Sequence, residues 1–326
     1  MTNDAVIAIV LAGEGEGSRT ILGKSKLHLT IDSQPLLVRI IKALLEVDRV
    51  GRICVVGPKQ TISDIIDSHL SYDTFSKPLD VIEQRDNIFE NCEAAIASCI
   101  PEFSKSSDEV SPEHQHSEFL LLPVDLPFVT SAELNEFLTN CDAADLDYAV
   151  GMTEEAALQK FYPIEGLPGI VPNYLHLREG SFRLNNLHLI KPFQVGNRQF
   201  IAKMYARRHQ SNLLNIFKTL YDFLITERMG IGPVLFFVYL ELLVLMNHVG
   251  FVRALEAGRK NARSQSVADY TSRLLRAKVA IVETTIGGCA TDIDSNADYV
   301  AVQQRYAEWR NAIEAAIAHA PSRDND

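Results

Sequence analysis

Basic residues are the minority charge in this 326-residue chain, 31 Lys and Arg against 42 Asp and Glu, for a net charge of −11. That shortage argues against a surface for nucleic acid, which would have to be basic to neutralise phosphates. Cysteine is scarce too. Cys54, Cys92, Cys99, Cys141 and Cys289 show neither a CxxC pair nor zinc-ligand spacing, and read as reduced core thiols of a cytoplasmic protein. The first apolar run is short and follows Asp4 rather than basic residues, which predicts no secretory leader. Internal repeats and low-complexity tracts are absent. With 47% hydrophobic residues the chain can bury a sizeable core, as one large or two small α/β domains.

Long hydrophobic runs are missing with one exception, residues 231–251 (IGPVLFFVYLELLVLMNHVGF), long enough to reach across a bilayer. Glu241 at its centre would cost on the order of 2.5–3.5 kcal/mol on insertion, which disfavours a span. A buried helix or helical pair is the plainer reading. A helix lying on a membrane surface is the other, helped by Arg253, Arg259, Lys260 and Arg263 downstream.

The first half alternates strand and helix signals, the pattern of a mostly parallel sheet. Strands are predicted at Ala5–Leu11, Arg52–Val56, Leu79–Glu83, Phe119–Pro123 and Tyr148–Met152, and helices at Leu36–Val47, Ile62–Leu70 and Ile88–Cys99. Thr130, three residues before Glu133, predicts a capped helix start. Residues 101–117 read as a polar loop, and Tyr174–Arg178 with Phe182–Ile190 as a hairpin about Glu179-Gly180. Residues 198–276 look helical throughout and are expected to form an insertion or accessory subdomain between the α/β segments 1–197 and 277–326. The sheet resumes at Ala277–Glu283, and a terminal helix is expected to reach about Ala320.

Three segments can hold chemistry. The first strand ends in Ala12-Gly-Glu-Gly-Glu-Gly-Ser-Arg19, and Lys26 follows. Glycines let backbone N–H groups approach an anion closely, and Arg19 and Lys26 would neutralise a phosphate. A structural tight turn would also explain Gly13, Gly15 and Gly17, and the intervening Glu14 and Glu16 would repel a triphosphate if they pointed inward. Next, Asp125 follows an apolar strand, so its carboxylate should emerge at the carboxyl edge of the sheet as a metal ligand, unless it caps the following helix. Last comes Asp292-Ile-Asp294, in which alternation points both carboxylates the same way. The segment could complete a hard-cation site with Asp125 or be solvated turn chemistry. Arg178, Arg183, Asn185, Asn186 and Lys191 form a polar cluster that either decorates a strand face or holds a phosphorylated acceptor. His114 and His116 lack partners for a metal.

In order and separation, LAGxGxGxR (11–19), SKLxLxIxxQPLL (25–37), PVDLPF (123–128) and TDIDSNADY (291–299) resemble the nucleotidyltransferases related to molybdenum-cofactor guanylyltransferase. The resemblance covers about residues 5–150 and 277–305. It implies a glycosyltransferase-A-like, Rossmann-like three-layer sandwich with a mostly parallel, mixed sheet, here carrying a helical insertion. It also implies backbone contacts to the base from Leu11, Ala12 and Gly13, base reading by Gln84, and a triphosphate held by Arg19 and Lys26. Asp125 with Asp294 or Asp292 would bind Mg²⁺. Within the polar cluster, Arg183, Asn185 and Asn186 are the residues expected to face an acceptor if the cluster is not strand-face decoration. Glu14 stands where the family usually has a second glycine. The expected activity is Mg²⁺-dependent transfer of a nucleoside monophosphate from a nucleoside triphosphate to a phosphorylated small-molecule acceptor. The alternatives are a glycosyltransferase using a nucleotide sugar, which would not need Arg19 and Lys26, and a non-catalytic nucleotide-binding or membrane-docking protein.

Overall fold

The computed structural model describes residues 5–14, 20–71, 75–104, 110–143, 146–198 and 231–319. Strand β1 (Val6–Leu11) carries no charge because both of its faces are covered. Ala8 and Val10 pack toward helix α1 (Leu36–Leu45), whereas Ile9 packs on the opposite face of the sheet. The short β2 (Thr30–Ile31) and β3 (Gln34–Pro35) pair as an antiparallel ribbon ahead of α1. Then come β4 (Val50–Gly57), α2 (Lys59–His69), β5 (Leu79–Glu83), α3 (Ile88–Cys99), β6 (Phe119–Pro123), α4 (Ser131–Asp142), β7 (Tyr148–Glu154) and α5 (Glu155–Leu158). A hairpin of β8 (Leu175–His176) and β9 (Ser181–Ile190) precedes α6 (Ile231–His248), α7 (Val252–Gly258) and α8 (Ser264–Leu275). The described chain closes with β10 (Val279–Thr284) and α9 (Asn296–His319).

The sheet runs β10-β7-β9-β6-β1-β4-β5, with β8 paired to β9 outside that order. All pairs of the main order are parallel except the two that β9 makes, with β6 and with β7. The architecture is therefore an α/β three-layer arrangement around a mixed, mostly parallel sheet. One face packs α1 and α4 through Leu37, Ile41, Leu134 and Leu138. The other packs α3 and the end of α8 through Ala95, Ile96, Leu274 and Leu275. Helix α8 lies in the stretch read from sequence as an insertion, yet these leucines place it on the flank of the main sheet.

Two features hold the carboxyl edge of the sheet in place. Trp309, the chain's lone tryptophan, is fully buried with Phe128, Phe161 and Tyr306. The Phe128 ring stacks on Tyr306 at 5.4 Å, which fastens α9 to the turn after β6. Arg305, also buried, donates to the carbonyls of Tyr162 (2.7 Å) and Pro168 (3.0 Å).

Helix α6 buries Leu240 and Leu243 against Leu177, Phe182 and Met152. Its other side leaves Leu235, Val238, Leu242 and Leu245 exposed. Among the described residues no helix is long and apolar enough to cross a membrane.

Candidate active site

Strand β6 ends at Pro123, and the next residues are pinned to their neighbours. Val124 N–H donates to Leu11 O at 3.1 Å, and Asp125 O accepts from Ile293 N–H at 3.1 Å. Because Ile293 is fully buried, alternation turns its two flanking carboxylates the other way. Oxygens of Asp125, Asp292 and Asp294 thereby come within 4.8 Å of one another. Lys26 Nζ bridges two of them, at 2.5 Å from Asp125 Oδ2 and 2.8 Å from Asp294 Oδ1. Lys26 reaches this point because Ser25 Oγ accepts from Leu27 N–H and buried Leu27 anchors the single turn around it. Arg183, on β9, donates to Asp292 Oδ1 at 2.6 Å and to Ala290 O at 2.9 Å. The loop is closed by Asp298 Oδ2, which accepts from Asp294 N–H at 3.2 Å, and by Asn296 Oδ1, which accepts from Leu22 N–H at 2.8 Å.

Three carboxylates facing two cations leave the cluster one negative charge in excess. Burial pushes the Asp125 carboxyl above the ordinary range, and the Lys26 ammonium only partly offsets this. Asp292 is pushed up to about 6, chiefly by burial and against the pull of Arg183. For Lys26 burial is the largest single influence and lowers its pKa. Asp125 and Asp294 together outweigh it, and the ammonium is held charged. Asp125 Oδ1 is buried without a hydrogen-bond partner. An unpartnered carboxylate oxygen beside two further carboxylates suits a hard divalent cation with oxygen ligands, so the residues fit the metal expected from the sequence.

The amino-terminal turn leads away from β1 close to this cluster. Its residues Gly15, Gly17 and Arg19 lie outside the described residues. Ala12 N–H donates to Val56 O at 2.8 Å, and Leu11 O is taken by Val124, so these two backbone groups are already used within the sheet. A Cβ on Gly13 would stand 2.8 Å from Asn91 Nδ2, so any larger residue there would have to displace the Asn91 amide. Gln84, expected to read a base, clasps the turn. Its Oε1 accepts from Glu14 N–H at 2.6 Å and its Nε2 donates to Glu14 O at 2.9 Å. These two bonds order the start of the turn. The Glu14 carboxylate turns toward His28, 3.9 Å from Nε2.

The polar cluster on β9 divides into different tasks. Arg183 belongs to the carboxylate cluster. Asn186 binds the backbone of Cys289 O twice, through N–H and Nδ2, each at 3.1 Å. Asn185 is buried. Its Nδ2 lies 3.1 Å from Thr284 Oγ1, and its Oδ1 accepts from Leu187 N–H at 3.0 Å, so it braces the sheet interior and cannot meet an acceptor.

One residue that matters here was visible in the sequence only as a helix-start signal. Thr130 does accept from Glu133 N–H, at 3.2 Å, but the Glu133 side chain turns inward rather than back to the cap. It is fully buried and binds the segment leading to Asp292. Oε1 accepts from Thr284 Oγ1 (3.0 Å) and Gly287 N–H (3.2 Å), and Oε2 from Cys289 N–H (2.9 Å). Burial pushes its carboxyl upward, opposed first by the Cys289 bond.

Residues 8–235 match the family model described as the MobA-like NTP transferase domain. No curated protein matches the chain. Among solved structures, a hypothetical transferase from Thermus thermophilus superposes with a TM-score of 0.59 at 18% identity, covering 90% of this chain and 99% of that one. This likeness supports the fold. A 4-diphosphocytidyl-2C-methyl-D-erythritol synthase from Anaerococcus prevotii is more distant in shape, with a TM-score of 0.43 at 11% identity, over 94% and 99% of the two chains.

Proposed function

Because the chain belongs to the MobA-like NTP transferase domain family and is thus a nucleotidyltransferase, we propose that it transfers a nucleoside monophosphate from a nucleoside triphosphate to a phosphorylated small-molecule acceptor, with Mg²⁺ as the cation. An acceptor phosphate oxygen forms a bond to the α-phosphorus, the α–β bridging bond breaks, and pyrophosphate leaves. The acceptor phosphate is already ionised at neutral pH, so no general base is needed, and alignment with charge neutralisation supplies the catalysis. One observation carries the reading: Lys26, Asp125 and Asp294, distant in sequence, meet at one strand edge.

Asp125, Asp292 and Asp294 would hold the cation, which supplies electrostatic stabilisation of the transferring phosphoryl oxygens when bound. Lys26, released from the two carboxylates, would donate to the triphosphate together with Arg19. Gly13 lets the polyphosphate approach the backbone. Arg183 orients Asp292 and adds positive charge on the acceptor side, next to Asn186.

The test is pyrophosphate release from each nucleoside triphosphate with Mg²⁺ and a panel of phosphorylated acceptors. Asp125→Asn and Lys26→Ala should each abolish turnover, by about 100-fold or more, with thermal stability retained. Full activity in either purified variant would refute the assignment. A glycosyltransferase would instead consume a nucleotide sugar and release no pyrophosphate.

We place the enzyme in the cytoplasm on its five scattered cysteines, which show neither CxxC nor zinc-ligand spacing. The exposed apolar stripe of α6, followed by exposed Arg253 and Lys260, supports a peripheral membrane contact through 231–251. Co-sedimentation with anionic vesicles that survives Leu242→Glu with Leu245→Glu would argue against that contact.

A further inference from the structure

A cavity of about 140 Å³ lies between the sheet and α3, and it reaches the carboxyl ends of β1 and β6. Strand register explains its floor. Leu11 pairs with Pro123, Leu121 with His188 and Tyr148 with Ile190, and all six residues line the cavity. Its roof is one face of α3, with Phe89, Cys92 and Ile96. Leu11 and Pro123 are the last residues of their strands, and Pro123 stands two residues before Asp125. The far end, at the level of Tyr148 and Ile190, is four residues lower along β6, roughly 13 Å away.

The wall is mostly apolar, and the polar groups on it are few. Asn186 stands at the edge end and is fixed to Cys289 O. Tyr148 OH meets His188 Nδ1 at 2.8 Å, which satisfies the two groups against each other. Glu93 and Arg198 are the charged residues on the lining. Empty apolar volume destabilises a fold, because lining atoms forgo their contacts. A largely apolar pocket of about this volume has room for a benzene-sized guest.

We propose that this cavity is a specificity pocket for the acceptor, receiving a compact apolar group, a single ring or a chain of about six carbons, while the acceptor's phosphate lies at the carboxylate cluster. The inference rests on the transferase reading for the identity of the guest and on the cavity alone for its chemistry. A phosphorylated polyol would bring hydroxyls to a wall with few partners for them, whereas an alkyl or aryl phosphate buries its tail there. Asn186 marks the boundary between the two halves of such a ligand.

The experiment titrates three probes into the full-length chain, followed by calorimetry and thermal shift: benzene, hexyl phosphate and glycerol phosphate. Benzene should bind saturably at one site. Hexyl phosphate should bind at least tenfold more tightly than glycerol phosphate. Cys92→Phe, which fills the cavity from α3, should abolish benzene binding and remove the preference for hexyl phosphate while the thermal shift with Mg²⁺ and a nucleoside triphosphate persists. Ile96→Phe provides the same block from the next turn of the helix should the first variant fold poorly. Failure of benzene to bind, or benzene binding undiminished in both variants, overturns the pocket. Equal affinity for the two phosphates overturns its role in acceptor choice. Because these readouts are binding measurements, absence of pyrophosphate release with every acceptor would strike the transferase reading and leave the pocket standing.

Discussion

Glu133 offers the sharpest test of how the site is built, because it touches no expected substrate and yet holds the segment that presents Asp292. Its carboxylate accepts three hydrogen bonds in a fully buried setting, two of them from the backbone at Gly287 and Cys289. Glu133→Gln keeps one oxygen. In either amide orientation one N–H of the loop then faces an NH₂ group and loses its acceptor, at a cost of about 1–3 kcal/mol. Glu133→Ala strands all three donors, and with partial relaxation the loss should be about 3–6 kcal/mol. Lys160, which donates to Ile286 O at 2.7 Å and feels the Glu133 charge, then keeps an ammonium in a region that has lost its counter-ion. Asp292 lies three residues beyond Cys289, so loosening the loop should also weaken cation affinity by about 10–100-fold, as loss of an outer-layer support does. Urea unfolding measures the first effect and calorimetric Mn²⁺ titration the second. The reasoning fails if Glu133→Ala loses less than about 1 kcal/mol and keeps Mn²⁺ affinity within about twofold, since the hydrogen bonds would then be incidental.

Gly13→Ala should lower nucleoside triphosphate affinity and melting temperature together, because the added methyl stands 2.8 Å from Asn91 Nδ2; an unchanged thermal shift with nucleotide would refute this. Cys54 and Cys99 have their sulfurs 3.2 Å apart, and the hydrogen bond from Cys54, with Ser98 and Arg52, lowers the Cys99 thiol to about 7. Mild diamide at pH 8 should therefore link this pair before any other cysteine, read by non-reducing peptide mass spectrometry, and Cys99→Ser should prevent it. His188 is held neutral by burial, its pKa lowered to about 4. A histidine with a lowered folded pKa contributes stability above its unfolded value of about 6.5 that is lost as pH falls toward 4, at most about 3 kcal/mol for the shift. The ring keeps an edge on the cavity, so the true figure is smaller. His188→Gln should flatten the wild-type slope of stability between pH 6.5 and 4, and an unchanged slope would show that the ring is not the titrating group.

The alternation of short apolar runs with amphipathic stretches was enough to locate β1, β5, β6, α3 and the β8–β9 hairpin, because burial on both faces or on one stripe writes directly into residue order. The chain also revealed that Asp125 follows an apolar strand and that Asp292 and Asp294 share a side, since strand alternation is local geometry. Tertiary packing alone inserted β9 antiparallel between β6 and β7 and set the end of α8 against the flank of the sheet. It also turned Gln84, Asn185 and Glu133 from surface-type polar residues into internal braces. The physical reason is that each partner lies far off in the chain: backbone of Glu14 for Gln84, 70 residues away, backbone of Cys289 for Glu133, 156 residues away, and the Thr284 hydroxyl for Asn185, 99 residues away. Periodicity reports which face of an element is apolar, and it holds no record of which distant N–H a buried oxygen will meet.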